Sequence, residues 1–253
     1  MTTVKEILDF LETIAPGELK MEWDNVGLLC GRKGKKIDKI LVALDPFPHV
    51  CEEAVSVGAD LLLTHHPLIF DPLKAVTDET ATGRAIMMLL ANDIAAVNAH
   101  TNLDCAKGGV NDTLAEILGL KDITVIGSEH LLRAGTLESA LPEFLDHVKA
   151  RLGCDGLRYA DGGKPVCRVA VGGGSCGSAL YEVAAAECDT FVTADVKYNQ
   201  FWDAKEMGIN LIDAGHFHTE NPVCAVLAEK IQKVFPETQV LLSKNHADCV
   251  KFY

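Results

Sequence analysis

The sequence lacks the features of several protein classes. It has no apolar run near the roughly 20 residues of a membrane-spanning helix, and stretches such as Ile86 to Ala91 are only long enough for a core. Nine cysteines are scattered without a C-x-x-C pair, which disfavours a disulfide framework or a cysteine-rich zinc finger. Basic residues number 23 against 36 acidic ones, so the net charge of −13 disfavours unaided binding to nucleic acid or anionic lipid.

The first residues also lack a secretory pattern, because acidic side chains stand where a signal peptide is apolar. We therefore expect a cytoplasmic protein with no membrane association and no nucleic-acid partner. What the chain does have is 253 residues, of which 48% are hydrophobic, and 21 glycines. This composition is typical of a packed α/β protein.

Apolar residues at helical spacing predict a first helix from Val4 to Ile14, ended by Pro16 and Gly17. Strands and helices then alternate. Predicted strands lie at 40–44, 60–64 and 94–99, with helices at 50–57 and 80–91. This order predicts a parallel sheet covered by helices.

The same order returns in the second half of the chain. Predicted strands lie at 168–171, 190–193 and 210–213, with helices at 178–186 and around Trp202. The interval 131–164 reads as a strand, a helix at 141–152 and another strand. We therefore predict two similar α/β halves with mostly parallel sheets, divided as 1–127 and 128–253.

Polar side chains follow three of the predicted strands, where ligands bind in open α/β sheets. His65 and His66 follow one strand, His100 and Asp104 follow the next, and the segment from His216 to Glu220 follows the last. The sequence thus predicts a site in the cleft at the carboxyl ends of the strands. Polar strand ends or capping arrangements are the alternatives.

Imidazole and carboxylate without paired thiolates are ligands for Zn, Mn, Fe or Ni. More than four candidate ligands converge, which indicates two metal ions with a shared water. A second signal is the glycine-rich segment from Gly172 to Ser178 between a strand and a helix. Its amides are candidates to hold a phosphate of the substrate, and the alternative is a tight packing turn. The candidate binding residues there are Gly172, Gly174, Ser175 and Gly177.

Ordered motifs run nearly the whole length of the chain. They are W-D-N-V-G-L-L at 23–29, T-H-H-P-L at 64–68, A-H-T-N-L-D at 99–104, G-G-V-N-D at 108–112, G-G-G-S at 172–175, V-T-A-D-V-K-Y at 192–198 and G-H-x-x-T-E at 215–220. With them the sequence resembles the Nif-three-like dinuclear-metal family, whose members are often labelled GTP cyclohydrolase I type 2 homologues.

The resemblance implies a two-domain α/β subunit in a ring-shaped homo-hexamer, with two divalent metal ions (Zn, Mn, Fe, Ni or Mg) in each subunit. It implies five metal ligands, with His100 alongside: His65, His66, Asp104, His216 and Glu220. Many relatives have a histidine where this chain has Asn199, so the resemblance gives no role for this position. The interval 128–164 is too short for the extra domain of some relatives.

The expected reaction is metal-assisted hydrolysis of a nucleotide-like or phosphorylated substrate such as GTP, with Glu220 or His100 relaying the proton. A generic phosphoester hydrolase would use the same groups. The rival is a non-enzymatic metal-handling protein or interaction scaffold, since good ligands serve storage as well as catalysis. A third hypothesis is a dinucleotide-binding oxidoreductase. It is based on the G-x-G-x-x-G pattern of the glycine-rich segment and on Asp195, which follows the next predicted strand.

Overall fold

The computed structural model describes residues 2–253, and strands alternate with helices along most of the chain. The strands are β1 (Thr2–Thr3), β2 (Gly27–Cys30), β3 (Lys36–Ile37), β4 (Lys39–Ala43), β5 (Leu61–Thr64), β6 (Ala95–Asn98), β7 (Lys121–Ile126), β8 (Leu132–Ser139), β9 (Arg158–Ala160), β10 (Val166–Val171), β11 (Thr190–Thr193), β12 (Asn210–Asp213) and β13 (Gln239–Leu242). The helices are α1 (Val4–Ile14), α2 (Pro48–Ser56), α3 (Ala81–Ala91), α4 (Thr101–Cys105), α5 (Val110–Ile117), α6 (Leu141–Leu152), α7 (Leu180–Ala185), α8 (Tyr198–Met207), α9 (His216–Glu220) and α10 (Pro222–Val234). Short 3-10 turns lie at Gly17–Leu19 and Gly177–Ala179. The predicted α/β class is confirmed.

Helix α1 shows how local chemistry fixes an element. The Thr3 hydroxyl accepts from the Glu6 amide, and the Glu6 carboxylate accepts from the Thr3 amide, so the first turn is capped from both sides. Val4, Ile7 and Leu11 are buried along one face. The helix ends as predicted at Ile14, just before the Pro16 and Gly17 pair.

One sheet has the strand order β13-β4-β5-β6-β2. The pairs β13–β4, β4–β5 and β5–β6 are parallel, and only β2 runs antiparallel to its neighbour, β6. The three central strands are the ones predicted in the first half of the sequence. Every residue of β5 and β6 is buried, as expected for parallel strands covered on both faces. A separate antiparallel ribbon joins β1 and β3.

The other sheet has the order β7-β8-β10-β11-β12-β9. Its centre, β10-β11-β12, is parallel and matches the predicted strands of the second half. Its flanks are antiparallel, because β8 pairs with both β7 and β10, and β9 pairs with β12. Both sheets are therefore mixed, which corrects the expectation of mostly parallel sheets for the second half.

Neighbouring residues of the central strands in this second sheet enter two different cores. Val171, Val192 and Ile212 pack with Phe144 of α6. Ala170, Phe191 and Leu211 belong to the other cluster, with Leu180 of α7. The alternation follows from the period of two in a strand, and it shows that both faces of the sheet are covered.

The chain forms two compact units, and each contains one of these sheets. The first unit contains the chain up to Lys107 and also Val223–Ala247; the second contains Gly108–Pro222 and Asp248–Tyr253. These limits differ from the sequence division at 127/128. One part of the difference arises because β13, near the end of the chain, pairs in parallel with β4 and so belongs to the first sheet. The other part arises because β7 pairs with β8 and so belongs to the second sheet.

Among residues 2–253, no helix is long and apolar enough to cross a membrane. Of the nine cysteines, six are buried: Cys30, Cys51, Cys105, Cys154, Cys188 and Cys224. Burial raises the pKa of the Cys51 thiol to about 12. These buried thiols behave as small apolar side chains, as the sequence suggests.

Candidate metal centre

Two adjacent parallel strands deliver the histidines of the first unit. Strand β5 pairs with β6 in a register that sets Thr64 opposite Asn98, so both strands end at the same edge of the sheet. His65 and His66 follow β5, and His100 follows β6 at the start of α4. These side chains therefore lie at the carboxyl ends of adjacent parallel strands, the edge at which the sequence predicts a site.

The three imidazoles form a compact cluster. One ring nitrogen from each of His65, His66 and His100 lies within 4.8 Å of the others, which is close enough for a shared metal ion. His65 is fully buried, and the Nε2 atom of its ring lies 3.5 Å from Oδ1 of Asp104. Imidazole nitrogens with a carboxylate oxygen are a ligand set for Zn, Mn, Fe or Ni, so the residues of the first unit fit a divalent metal.

The Nδ1 atom of each ring is held by an acceptor from elsewhere in the unit. It lies 2.9 Å from the Ala99 carbonyl in His65, 2.6 Å from Asp45 in His66 and 2.8 Å from Asp24 in His100. Because these acceptors require the proton on Nδ1, a neutral ring keeps its lone pair on Nε2. The same arrangement orients ligand histidines in many metal sites.

Asp24 is a buried anchor for the segment that contains His100. Its carboxylate accepts from His100 and from both the amide and the hydroxyl of Thr101. Burial works against ionisation of Asp24, but the hydrogen bonds from His100 and Thr101 outweigh it and lower its pKa to about 2. The carboxylate is therefore charged at neutral pH and favours the ring orientation seen here.

Asp45 joins two histidines. One carboxylate oxygen accepts from His66, and the other lies 2.8 Å from Nε2 of His246, which follows β13. Burial raises the pKa of Asp45, yet the hydrogen bonds from His246 and His66 prevail and hold it well below its usual range. A segment distant in sequence thus helps to fix His66.

The second unit contains a different set. His216 and Glu220 occupy the two ends of the five-residue helix α9, which follows β12. Nε2 of His216 lies 2.9 Å from Glu220, and its Nδ1 lies 2.7 Å from Asp195. Glu220 is buried, whereas the His216 side chain is 35% exposed. Asp195, whose carboxylate contacts His216, has a φ of 51°, so its backbone lies in the left-handed region.

The glycine-rich segment packs against this set. The amide of Gly172 donates to the Val192 carbonyl, and the amide of Gly174 donates to the Thr219 hydroxyl. A Cβ added at Gly174, where φ is +62°, would lie 2.0 Å from Oε1 of Glu220. Two of the four amides predicted to hold a phosphate are therefore engaged within the protein, which favours the packing alternative. A phosphate role for Ser175 and Gly177 stays a prediction.

The structure thus groups His65, His66, His100 and Asp104 in the first unit, and His216 with Glu220 in the second. Asn199 is exposed in the first turn of α8. Sequence reasoning missed Asp45 and treated Asp24 as part of a turn. A signal for Asp45 existed, because it follows the strand predicted at 40–44 and so obeys the same strand-end rule as the histidines.

Known proteins resemble the chain over nearly its whole length. The family model described as Duf34/NIF3 (NGG1p interacting factor 3) matches residues 2–248. The "GTP cyclohydrolase 1 type 2 homolog" of Clostridium perfringens is 39% identical, with 98% of this chain and 99% of the relative aligned. The protein of the same name from Clostridium acetobutylicum is 34% identical, with 98% of each chain aligned.

A solved structure agrees with these sequence matches. The Bacillus cereus protein related to NIF3 superposes with a TM-score of 0.93 and 26% identity, over 100% of this chain and 99% of that one. The family resemblance stated from the motifs is confirmed. From the full-length family match and its relatives, we conclude that this chain belongs to the DUF34/NIF3 family.

Proposed function

We propose that the protein binds two divalent metal ions and acts as a metal-dependent hydrolase on a nucleotide-like substrate. The observation that carries the proposal is the cluster of His65, His66 and His100, whose ring nitrogens lie within 4.8 Å of one another. In each of these three rings Nδ1 is held by an acceptor of the protein, which is the Ala99 carbonyl, Asp45 or Asp24. Such outer partners are typical of metal ligands.

The proposed ligands are His65, His66, Asp104, His216 and Glu220. The first three have donor atoms grouped in the first unit; His216 and Glu220 are added because the family resemblance implies them. When bound, a pair of divalent cations supplies Lewis-acid polarisation of the substrate and acidifies the attacking water. The metal is proposed to be Zn, Mn, Fe, Ni or Mg.

His100 and Glu220 are the proposed proton carriers. Asp24 accepts from Nδ1 of His100, so Nε2 is the atom left to take up and release a proton. Glu220 is buried and lies 2.9 Å from a ring nitrogen of His216, so its carboxylate is held in one place. A fixed base beside the attacked bond avoids the entropic cost of positioning it.

The substrate class and the assembly come from the family. Relatives carry the name "GTP cyclohydrolase 1 type 2 homolog", which supports a nucleotide such as GTP. The resemblance to the family also supports a ring-shaped homo-hexamer, and a cytoplasmic location is part of the proposal. Size-exclusion chromatography with light scattering tests the assembly, and a monomeric or dimeric mass would contradict it.

The decisive experiment measures metal content and turnover on the same samples. Metal-free protein is supplied in turn with Zn, Mn, Fe, Ni or Mg, and each form is assayed against nucleoside triphosphates and simple phosphoesters. We expect about two metal ions per chain and metal-dependent hydrolysis, both reduced in His65→Ala and Glu220→Ala. His130→Ala is the control, because this histidine is exposed in the loop between β7 and β8.

Two outcomes would contradict the proposal. Absence of metal uptake by the unmodified chain would remove the metal site. Tight uptake with no turnover across the panel would instead favour a metal-handling protein.

A further inference from the structure

Two large aromatic side chains stand exposed beside the histidine cluster of the first unit. Trp23 is 61% exposed and Phe70 is 51% exposed. The centroids of the two rings are 5.7 Å apart. The centroid of the His100 ring lies 6.2 Å from that of Trp23 and 6.3 Å from that of Phe70. Single exposed apolar residues are ordinary, but a contiguous aromatic pair at a candidate site indicates binding.

The backbone that bears these rings is held in place by buried or half-buried groups. The Asn25 side chain donates to the Ile69 carbonyl at 2.7 Å, which ties the segment that bears Trp23 to the segment that bears Phe70. The Asn98 side chain, at the end of β6, donates to the Asn25 carbonyl at 3.1 Å. Asp24, adjacent to Trp23, is locked by His100 and Thr101. The aromatic pair is therefore presented by a fixed frame.

The ring geometry leaves surface for a ligand. The planes of Trp23 and Phe70 are inclined at 53°, so the two rings do not stack face to face on each other. His100 meets both rings edge-on, at 72° and 76°. Aromatic faces that are neither buried nor stacked bind planar heteroaromatic rings, and they do so with little preference among the bases.

We propose that Trp23 and Phe70 form an aromatic platform that binds the planar heteroaromatic ring of the substrate next to the metal ligands. The inference rests on the proposed function for the existence of a substrate at this site. It goes beyond the proposed function by naming the part of the substrate that the first unit recognises. It also gives Trp23, the tryptophan of the W-D-N motif, a role in substrate specificity. The platform recognises the ring itself, so its binding needs no metal.

The chain has only two tryptophans, so the fluorescence of Trp23 can report ligand binding once the other tryptophan is replaced. Trp202, on α8, is replaced in Trp202→Phe so that all tryptophan emission comes from Trp23. The metal-free variant is titrated with guanosine 5′-monophosphate and with ribose 5-phosphate, which carries the same sugar and phosphate without the base. We expect saturable quenching by the nucleotide and none by the sugar phosphate.

Substitution of the second ring tests the platform directly. In the Trp202→Phe background, Phe70→Ala is expected to weaken nucleotide binding by about tenfold or more, because a base–aromatic stack is lost, and Phe70→Tyr is expected to restore it, because the stack is kept. The matched control is Phe47→Ala. Phe47 is 50% exposed in the same unit, but its ring stacks on His49. Circular dichroism confirms that each variant is folded.

The platform would be overturned by no quenching by the nucleotide, by equal quenching by ribose 5-phosphate, or by equal weakening in Phe70→Ala and Phe47→Ala. A change in Trp23 emission that follows protein concentration instead of nucleotide would also overturn it, because the rings would then be covered by a second copy. Metal uptake is measured on the same samples. Nucleotide binding without metal uptake contradicts only the proposed function, and metal uptake without nucleotide binding contradicts only the platform.

Discussion

Each unit has a histidine and a carboxylate four residues apart after a parallel strand: His100 and Asp104 at helix α4, and His216 and Glu220 in helix α9. The side chains of the two pairs contact different partners. In α9 the pair closes on itself, with Nε2 of His216 2.9 Å from Glu220. In the first unit His100 turns its Nδ1 to Asp24, and Asp104 lies beside His65 instead. Equal spacing in sequence therefore gives one local pair and one set built from distant segments.

The two sets also differ in exposure. The His65 side chain is fully buried, whereas those of His216 and Asp195 are 35% and 52% exposed. An exposed ion pair contributes little to stability, while a buried imidazole with a fixed acceptor contributes more. We infer that the histidine set of the first unit is held more rigidly than the exposed His216–Asp195 pair of the second unit.

The largest expected contrast comes from removing one histidine from each set. His65→Ala leaves a cavity and the Ala99 carbonyl without its donor, so the free energy of unfolding should fall by about 2–4 kcal/mol. His216→Ala should lower it by less than about 1 kcal/mol. Both should weaken metal binding by more than the ~10–100-fold that loss of an outer partner produces. Denaturant unfolding in chelator and competitive metal titration measure these effects; equal destabilisation would contradict the comparison.

The next contrast compares the carboxylates that hold the histidines. Asp24→Asn removes the negative charge and leaves one acceptor oxygen where His100 and Thr101 use two, so we expect about 1–3 kcal/mol of destabilisation and ~10–100-fold weaker metal binding. Asp195→Asn is the counterpart in the second unit, and because Asp195 is half exposed its variant should change stability by less than about 0.5 kcal/mol. Thermal unfolding and metal titration of both variants show whether the buried carboxylate contributes more to stability and metal affinity than the exposed one.

A third variant disturbs only the second set. Gly174→Ala would bring a Cβ to 2.0 Å from Glu220 and 3.0 Å from Nε2 of His216, so the pair must shift. Gly163→Ala is the matched control, since Gly163 has a φ of +74° and an added Cβ meets nothing within 4 Å. Both should lose about 1 kcal/mol for the left-handed backbone. Only Gly174→Ala should reduce metal stoichiometry; an equal reduction in the control would show that backbone strain is the cause.

The smallest expected effect concerns the segment after β13, which packs against Glu53 in the first unit. Buried Glu53 accepts from the amides of Lys244 and Asn245 and from the Ser243 hydroxyl, just before His246 reaches Asp45. Burial raises the pKa of Glu53, but these hydrogen bonds prevail and hold it below its ordinary value of 4.5. The unfolded chain therefore takes up the proton more readily, so this stabilisation is present above pH 4.5 and is lost as the pH falls through the folded pKa.

Glu53→Gln should accordingly lower the free energy of unfolding by about 1 kcal/mol at neutral pH, with the difference from the unmodified chain shrinking in acid. Glu52→Gln, at the exposed neighbouring position, should behave as the unmodified chain at every pH. Urea unfolding across a pH series measures both. A difference that stays constant into acid would show that the charge of Glu53 is not responsible.

Much of the fold was predictable because most elements are local. The helix from Val4 to Ile14 and the strand at 190–193 agree with their predicted limits. Strand β2 was not predicted, because Gly27–Cys30 is short and gains its identity only by antiparallel pairing with β6. The pairing of β13 with β4 was equally hidden, since nothing in Gln239–Leu242 specifies a partner about 200 residues earlier.

The grouping of His65, His66 and His100 was also predictable, because the carboxyl ends of neighbouring parallel strands share one edge of a sheet. The groups that accept hydrogen bonds from the Nδ1 atoms of these histidines were not predictable from the sequence. Asp24 and His100 are 76 positions apart, and Asp45 and His246 are 201 apart, so no spacing rule connects them. The roles of Ser175, Gly177, His216 and Glu220 in binding stay predictions.

By itself the sequence determined most of the strands and helices and where the polar side chains fall along them, and its ordered motifs determined to which family the chain belongs. These properties depend on side-chain periodicity and turn chemistry within a few residues. Only the tertiary structure decided which carboxylate meets which imidazole, and hence which ring nitrogen keeps its lone pair. Those contacts form between segments far apart in the chain, so they exist only after packing has brought the segments together.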